Sequence, residues 1–153
     1  MAKGYKRRYY HGNRDKYSVE QTFFNTSLTS GQTTAIDVVP AAAIQGMRKV
    51  KHITITAASA TTVTDGVLWC LFYLPAGYAA PAFNVTTGSP LIEPNQYVMN
   101  CGCFDHDAGP FRVTSRLSRN LNSGDRIVLL LRPLNTSAAS EITGIVRYAI
   151  TLQ

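Results

Sequence analysis

From residue 17 onward the apolar residues of this chain recur at every second position, a period that suits an extended strand, whose successive side chains point to opposite faces of a sheet. Phe111, Val113 and Leu117 alternate with Arg112, Thr114 and Arg116. Val146, Tyr148, Ile150 and Leu152 alternate with Arg147, Ala149 and Thr151, and Ile53 and Ile55 with His52, Thr54 and Thr56. Two segments, Val67 to Leu74 and Ile127 to Leu131, are continuously apolar and read as central strands covered on both sides. Turn residues separate the runs at Thr29 to Gly31, Thr64 to Gly66, Pro75 to Gly77, Asn122 to Asp125 and Asn135 to Ser137. The pattern predicts eight strands, near residues 18–24, 32–39, 48–57, 66–74, 96–103, 111–117, 125–132 and 142–152. Only a turn at 41–46 reads as anything other than strand or loop. The longest gap, residues 75–95, is rich in Pro, Gly, Thr and Asn and reads as a surface excursion. Eight short strands with uneven loops point to an all-β, eight-stranded antiparallel jelly-roll sandwich over residues 17–153.

The charge lies elsewhere. Residues 1–16 hold Lys3, Lys6, Arg7, Arg8, Arg14 and Lys16 against Asp15, a net +5, whereas residues 17–153 hold nine cations against eight acids. That short segment has almost no aliphatic residues, so it is expected to be a disordered basic arm. Basic arms bind polyanions by releasing condensed counterions, with little regard for sequence. Tyr5, Tyr9, Tyr10 and Tyr17 are interleaved with the cations, and such rings suit single-stranded nucleic acid, whose bases stack on them. A solvated tail, or a signal read by a nuclear import receptor, is the plainer reading of the same residues. In the body, Arg112, Arg116 and Arg119 cluster near one strand and Arg48, Lys49 and Lys51 at the start of another. These read as outward-facing cations that either extend the nucleic-acid surface, Arg112 and Arg116 foremost, or form an ordinary solvated face.

Only 16% of the residues are charged, so the surface lacks much of the charge that discourages association, and homo-oligomeric contacts are expected. The three cysteines make no disulfide framework, and the N-terminus does not read as a signal peptide. No apolar run approaches the roughly 18 residues of a membrane helix, so no membrane partner is expected.

Catalytic signatures are missing. His11, His52 and His106 are scattered, and there is no nucleophile elbow, phosphate loop or cupin-like histidine cluster, so neither enzyme activity nor a cofactor is expected. Cys101, Cys103, Asp105, His106 and Asp107 are the one constellation to weigh. With His106 or the aspartates they would make a zinc set, and Asp105 and Asp107 alone offer oxygens to calcium. Their spacing matches no zinc motif, and packed apolar cysteines are the default.

Taken together, the arm with Lys6, Arg7, Arg8, Tyr9 and Tyr10, the eight-strand body and the absence of catalytic motifs resemble the capsid proteins of small circular single-stranded DNA viruses of the circovirus-like, replication-initiator-encoding kind. The run from Leu121 to Leu131, leading into a central strand, is similar to a segment late in such jelly rolls. The resemblance covers the layout of the whole chain. It implies an icosahedral shell of about sixty copies, whose arms would bring about 300 positive charges to the enclosed DNA. It also implies an arm that doubles as a nuclear-localisation signal, and a protein found in the virion and, during assembly, in the host nucleus. The arm is shorter and less arginine-dense than in typical circoviruses, which leaves open a satellite-virus coat protein enclosing RNA. Two rival readings are a trimeric ligand of the tumour-necrosis-factor or complement type and a carbohydrate-binding sandwich. The second wants exposed aromatics, whereas Trp69 sits inside an apolar run.

Overall fold

Because each strand has at least one face to bury, two sheets must stack, and nine strands do so among the described residues. The computed structural model describes residues 17–43, 46–59, 66–82, 97–105, 109–134 and 140–152; the basic arm and the turn expected at 135–137 lie outside these. In chain order the strands are β1 (Ser18–Leu28), β2 (Thr34–Val39), β3 (Arg48–Ser59), β4 (Gly66–Leu74), β5 (Val98–Asp105), β6 (Phe111–Ser115), β7 (Arg119–Leu121), β8 (Arg126–Pro133) and β9 (Ser140–Leu152). The first sheet has the order β1-β9-β3-β6 with β7 also paired to β3, and the second β2-β8-β4-β5. All pairings are antiparallel. The chain changes sheet at every connection except β4 to β5 and β6 to β7, which is the winding of a jelly roll. Among the described residues there is no helix.

The inward faces supply the core. Leu28, Ile55, Val113, Ile142 and Val146 of the first sheet are buried in one cluster with Val67, Leu71, Ile127, Leu129 and Leu131 of the second. Gly144 makes room for a close approach: a Cβ there would collide with the Phe24 ring and come within 2.8 Å of the Ala57 Cβ. The two continuously apolar segments are indeed central strands, β4 and β8. Their alternate residues Cys70, Phe72, Leu74, Val128 and Leu130 form a second cluster on the far side of the sheet, with Ala80, Tyr97 and Val98 packed on it. What is described of the segment after β4 is therefore a partial cover for the second sheet as well as a surface excursion.

Strand β3 changes phase in its middle. Arg48 and Val50 face inward, and then Ile53, Ile55 and Ala57 do. The register against β9 slips between Lys51 and Thr54, and His52 takes φ 54, a left-handed conformation in which a β-bulge absorbs one extra residue. Two expectations fail in this sheet. Arg48, read as an outward cation, is only 6% exposed, because it lies before the bulge on the inward face. Leu117, expected beside Phe111 and Val113, is 51% exposed, because the expected sixth strand ends at Ser115, residues 116–118 leave the sheet, and a short strand that was not expected, β7, follows. Thr151 keeps the outward side expected of it, beside Lys49 of β3, but is buried there.

A buried polar knot ties the loops at one end of the sandwich. Gly124, at φ 83, allows the turn in which the Asp125 N–H donates to the Asn122 carbonyl at 3.1 Å. The Asp125 carboxylate accepts from the Tyr73 hydroxyl at 2.6 Å, the Asn122 N–H at 2.8 Å and the Ala76 N–H at 3.0 Å. Arg48 donates to the carbonyls of Asp125 and Pro40, each at 3.1 Å. Burial alone would raise the Asp125 pKa, but the bonds from Tyr73, Asn122 and Ala76 outweigh it and hold the carboxyl below its usual 3.8. Its folded pKa thus lies below the unfolded one, so its stabilisation is complete above the unfolded value and lost as pH falls through the folded value. Asp125→Asn should lower stability at neutral pH by about 1.5–3 kcal/mol. Urea midpoints measured across pH should also show a flatter acid limb for the variant than for the parent.

Candidate nucleic-acid interface

The two sheets turn very different faces outward. On the first, the outward positions include Lys49 and Lys51 of β3, Arg112 of β6 and Arg147 of β9, against a single acid, Glu141, near the far end of β9. On the second, the outward charges Asp37, Asp105, Arg126 and Arg132 balance, and Asp37 and Arg126 form an ion pair at 3.5 Å. The excess positive charge of the described outward strand faces is therefore confined to the first sheet.

Each cation is placed by the pleat. Thr56 pairs with both Ile145 and Arg112, and Thr54 with Arg147, so the two guanidiniums stand on neighbouring rows of one face. Arg147 donates through Nε to Gln21 Oε1 at 2.7 Å, which fixes its orientation with one of five donors. Lys51 lies with its ammonium 4.6 Å above the Tyr17 ring. Tyr17 directly follows the basic segment 1–16 in the sequence, and it lies beside this same face.

The residues named from sequence are distributed unevenly. Lys3, Lys6, Arg7, Arg8, Tyr9, Tyr10, Arg14 and Lys16 lie outside the described residues. Arg112 is exposed on the outward face, and Arg116 is exposed in the break between β6 and β7. Arg119 is set apart from them: its guanidinium sits 5.5 Å from the Tyr73 ring centre, on the inward side. Arg48 is buried in the knot. Two residues of the face were not singled out in the sequence, Arg147 and Phe23. Arg147 was visible as an outward alternate of the last strand. Phe23 was hidden by its neighbour Phe24, since two adjacent phenylalanines do not declare which is inward.

All three cysteines share the outward side of the second sheet, where Cys70 pairs directly with Cys101 and Leu68 with Cys103. Only Cys70 is packed; Cys101 and Cys103 are exposed, against the default reading, because β5 is an edge strand whose outward side is left open there. Among the described residues no three His, Cys, Asp or Glu side chains are grouped to hold a metal, and His106 and Asp107 lie outside them. Burial, and then Cys101, pushes the Cys70 thiol up from 9.0 to about 12.

No protein-family model and no curated protein matches the chain. Among solved structures, the decameric capsid protein of beak and feather disease virus (BFDV), a circovirus, aligns with a TM-score of 0.52 at 10% sequence identity, covering 92% of this chain and 100% of that one. The 60-mer of the BFDV capsid protein aligns with a TM-score of 0.48 at 10% identity, over 91% of this chain and 95% of that one. The fold is thus the jelly roll seen in the circovirus capsid protein.

The cysteine arrangement gives a direct check. A maleimide at neutral pH should modify two thiols per native chain, at Cys101 and Cys103, and reach Cys70 only on unfolding. Rapid labelling of Cys70 by peptide mass mapping would mean that the cluster on the far side of the second sheet is open.

Proposed function

We propose that this chain is a viral coat protein whose copies close into a small icosahedral shell, with the outward face of the first sheet turned to the interior. The arm and this face together bind packaged single-stranded nucleic acid. The observation that carries the reading is the confinement of unbalanced cations to one sheet of a circovirus-capsid fold, on the face beside which the arm departs. The like-folded BFDV capsid protein assembles as a decamer, which supports self-association here. A shell needs two unlike surfaces, one for polyanion and one for solvent. The cationic first sheet and the charge-balanced second sheet meet that requirement.

The roles divide by reach. Lys3, Lys6, Arg7, Arg8, Arg14 and Lys16 neutralise phosphates away from the wall, and Tyr9 and Tyr10 stack on bases. Lys49, Lys51, Arg112 and Arg116 hold the strand that lies against it. The same arm serves as a nuclear-import signal, consistent with assembly where a single-stranded DNA genome is made. The function is structural and uses no cofactor.

Size-exclusion chromatography with absorbance read across the peak, and negative stain of the same fraction, tests this directly. Uniform particles that absorb as nucleic acid are expected, and a stable monomer or trimer with a protein spectrum would overturn the reading. Removing residues 1–16 should abolish encapsidated nucleic acid. Replacing Lys49, Lys51 and Arg112 by glutamine should weaken oligonucleotide binding and shrink the slope of log K against log salt by about 0.7 for each phosphate that is no longer neutralised.

A further inference from the structure

Two hollows adjoin on the outward face of the first sheet and share Thr56 and Ile145. The larger, about 710 Å³, is mainly apolar, lined by Phe23, Phe24, Ala58, Pro110 and Ile145 among others. The smaller, about 340 Å³, lies between Arg112 and Arg147 with Thr54 and Thr56. Neither has an acidic residue in its lining. Phe23 is 69% exposed although it is a large apolar ring. Its neighbour Phe24 packs on the core, so the fold does not need Phe23 there.

The register sets the spacing. Phe23 pairs with Ile145, Ile145 with Thr56 and Thr56 with Arg112, a single row across four strands. At about 4.8 Å per strand the row is roughly 14 Å long, and Arg147 stands diagonally about 7–8 Å from Phe23. An aromatic face with two guanidiniums within one nucleotide's reach, and hydroxyls between them, matches a flat base joined to a sugar phosphate. The arm is itself basic, so these arginines repel it, and charge selects a polyanion as the occupant.

We propose that the paired hollows form a nucleotide subsite of the coat protein. An unpaired base stacks on Phe23 against Ile145, and the adjoining phosphate lies between Arg112 and Arg147, with Thr54 and Thr56 donating to it. The subsite rests on the coat-protein reading for its ligand and adds a preference for single strands, because a duplex keeps its base faces stacked inside.

The test uses the full-length chain as unassembled subunits, at salt that screens the arm, with fluorescein-labelled oligothymidine and a duplex of equal length followed by anisotropy. Phe23→Leu should lower oligothymidine affinity about ten-fold and leave duplex affinity nearly unchanged, whereas Phe23→Tyr, which keeps the ring, should retain both. Iodouracil in the oligonucleotide should photo-crosslink to the peptide carrying Phe23. Wild-type oligothymidine affinity in Phe23→Leu would overturn the subsite. If that variant also assembles poorly, the patch is an interface between copies instead. Particles that still form and package through the arm would leave the coat-protein reading standing in that event, and failure of the parent chain to assemble would sink that reading separately.

Discussion

Cys70, Phe72 and Leu74 of β4 lie against Val128 and Leu130 of β8 on the side of the second sheet turned away from the core. This packing makes the sandwich unequal. Both faces of its central strands are apolar, so the side away from the core needs a cover, to which Ala80, Tyr97 and Val98 contribute. The first sheet has no such apolar layer outside. Its outward side stays polar and cationic, with Phe23 and Val19 as its large exposed apolar groups. A molecule built this way has one side partly covered by its own described residues and one side without such a cover.

Much of this was legible because the pleat has a fixed period. The apolar runs placed β4 and β8 within a residue of their observed limits, and the alternation in β9 correctly assigned Val146, Tyr148 and Arg147 to their faces. Where the reading failed, the period had been broken. A bulge leaves no mark in composition, so Arg48 looked like an outward neighbour of Lys49 although it lies inward. Leu117 fits the alternation of its segment, yet the chain has left the sheet by then. The cysteines failed for another reason: average burial says nothing about an edge strand, where an outward side chain finds no neighbour on one side. Of the proposed interface, the sequence supplied Arg112 and Arg116 but not Arg147 or Phe23. An outward cation or ring acquires meaning only from its partners across the strands.

The knot around Asp125 is the polar counterpart of the core. It joins the segments after β2, β4 and β7 through one carboxylate and one guanidinium, and it stands at the end of the sandwich where β1 begins. Loops are usually the softest part of a β-sandwich. Here three of them share hydrogen bonds to charged groups that are strong because they are buried. The end of the domain at which Tyr17 precedes β1 is accordingly held firm.

The extra residue at the bulge of β3 separates two matters that a regular strand ties together, its length and the faces its side chains take. Before it, Lys49 and Lys51 point out while Arg48 and Val50 point in; after it, Thr54 and Thr56 point out while Ile53 and Ile55 point in. The strand is two half-strands in opposite phase, joined at a left-handed histidine. Losing that one residue together with the bulge would leave a regularly alternating strand, with Lys49, Lys51, Thr54 and Thr56 still outward and Val50, Ile53 and Ile55 still inward. A further insertion without a second bulge would instead turn one half inside out. Over evolutionary time, then, the bulge is the place where this strand can shorten by one residue while the cationic face and the hydrophobic core keep their sides.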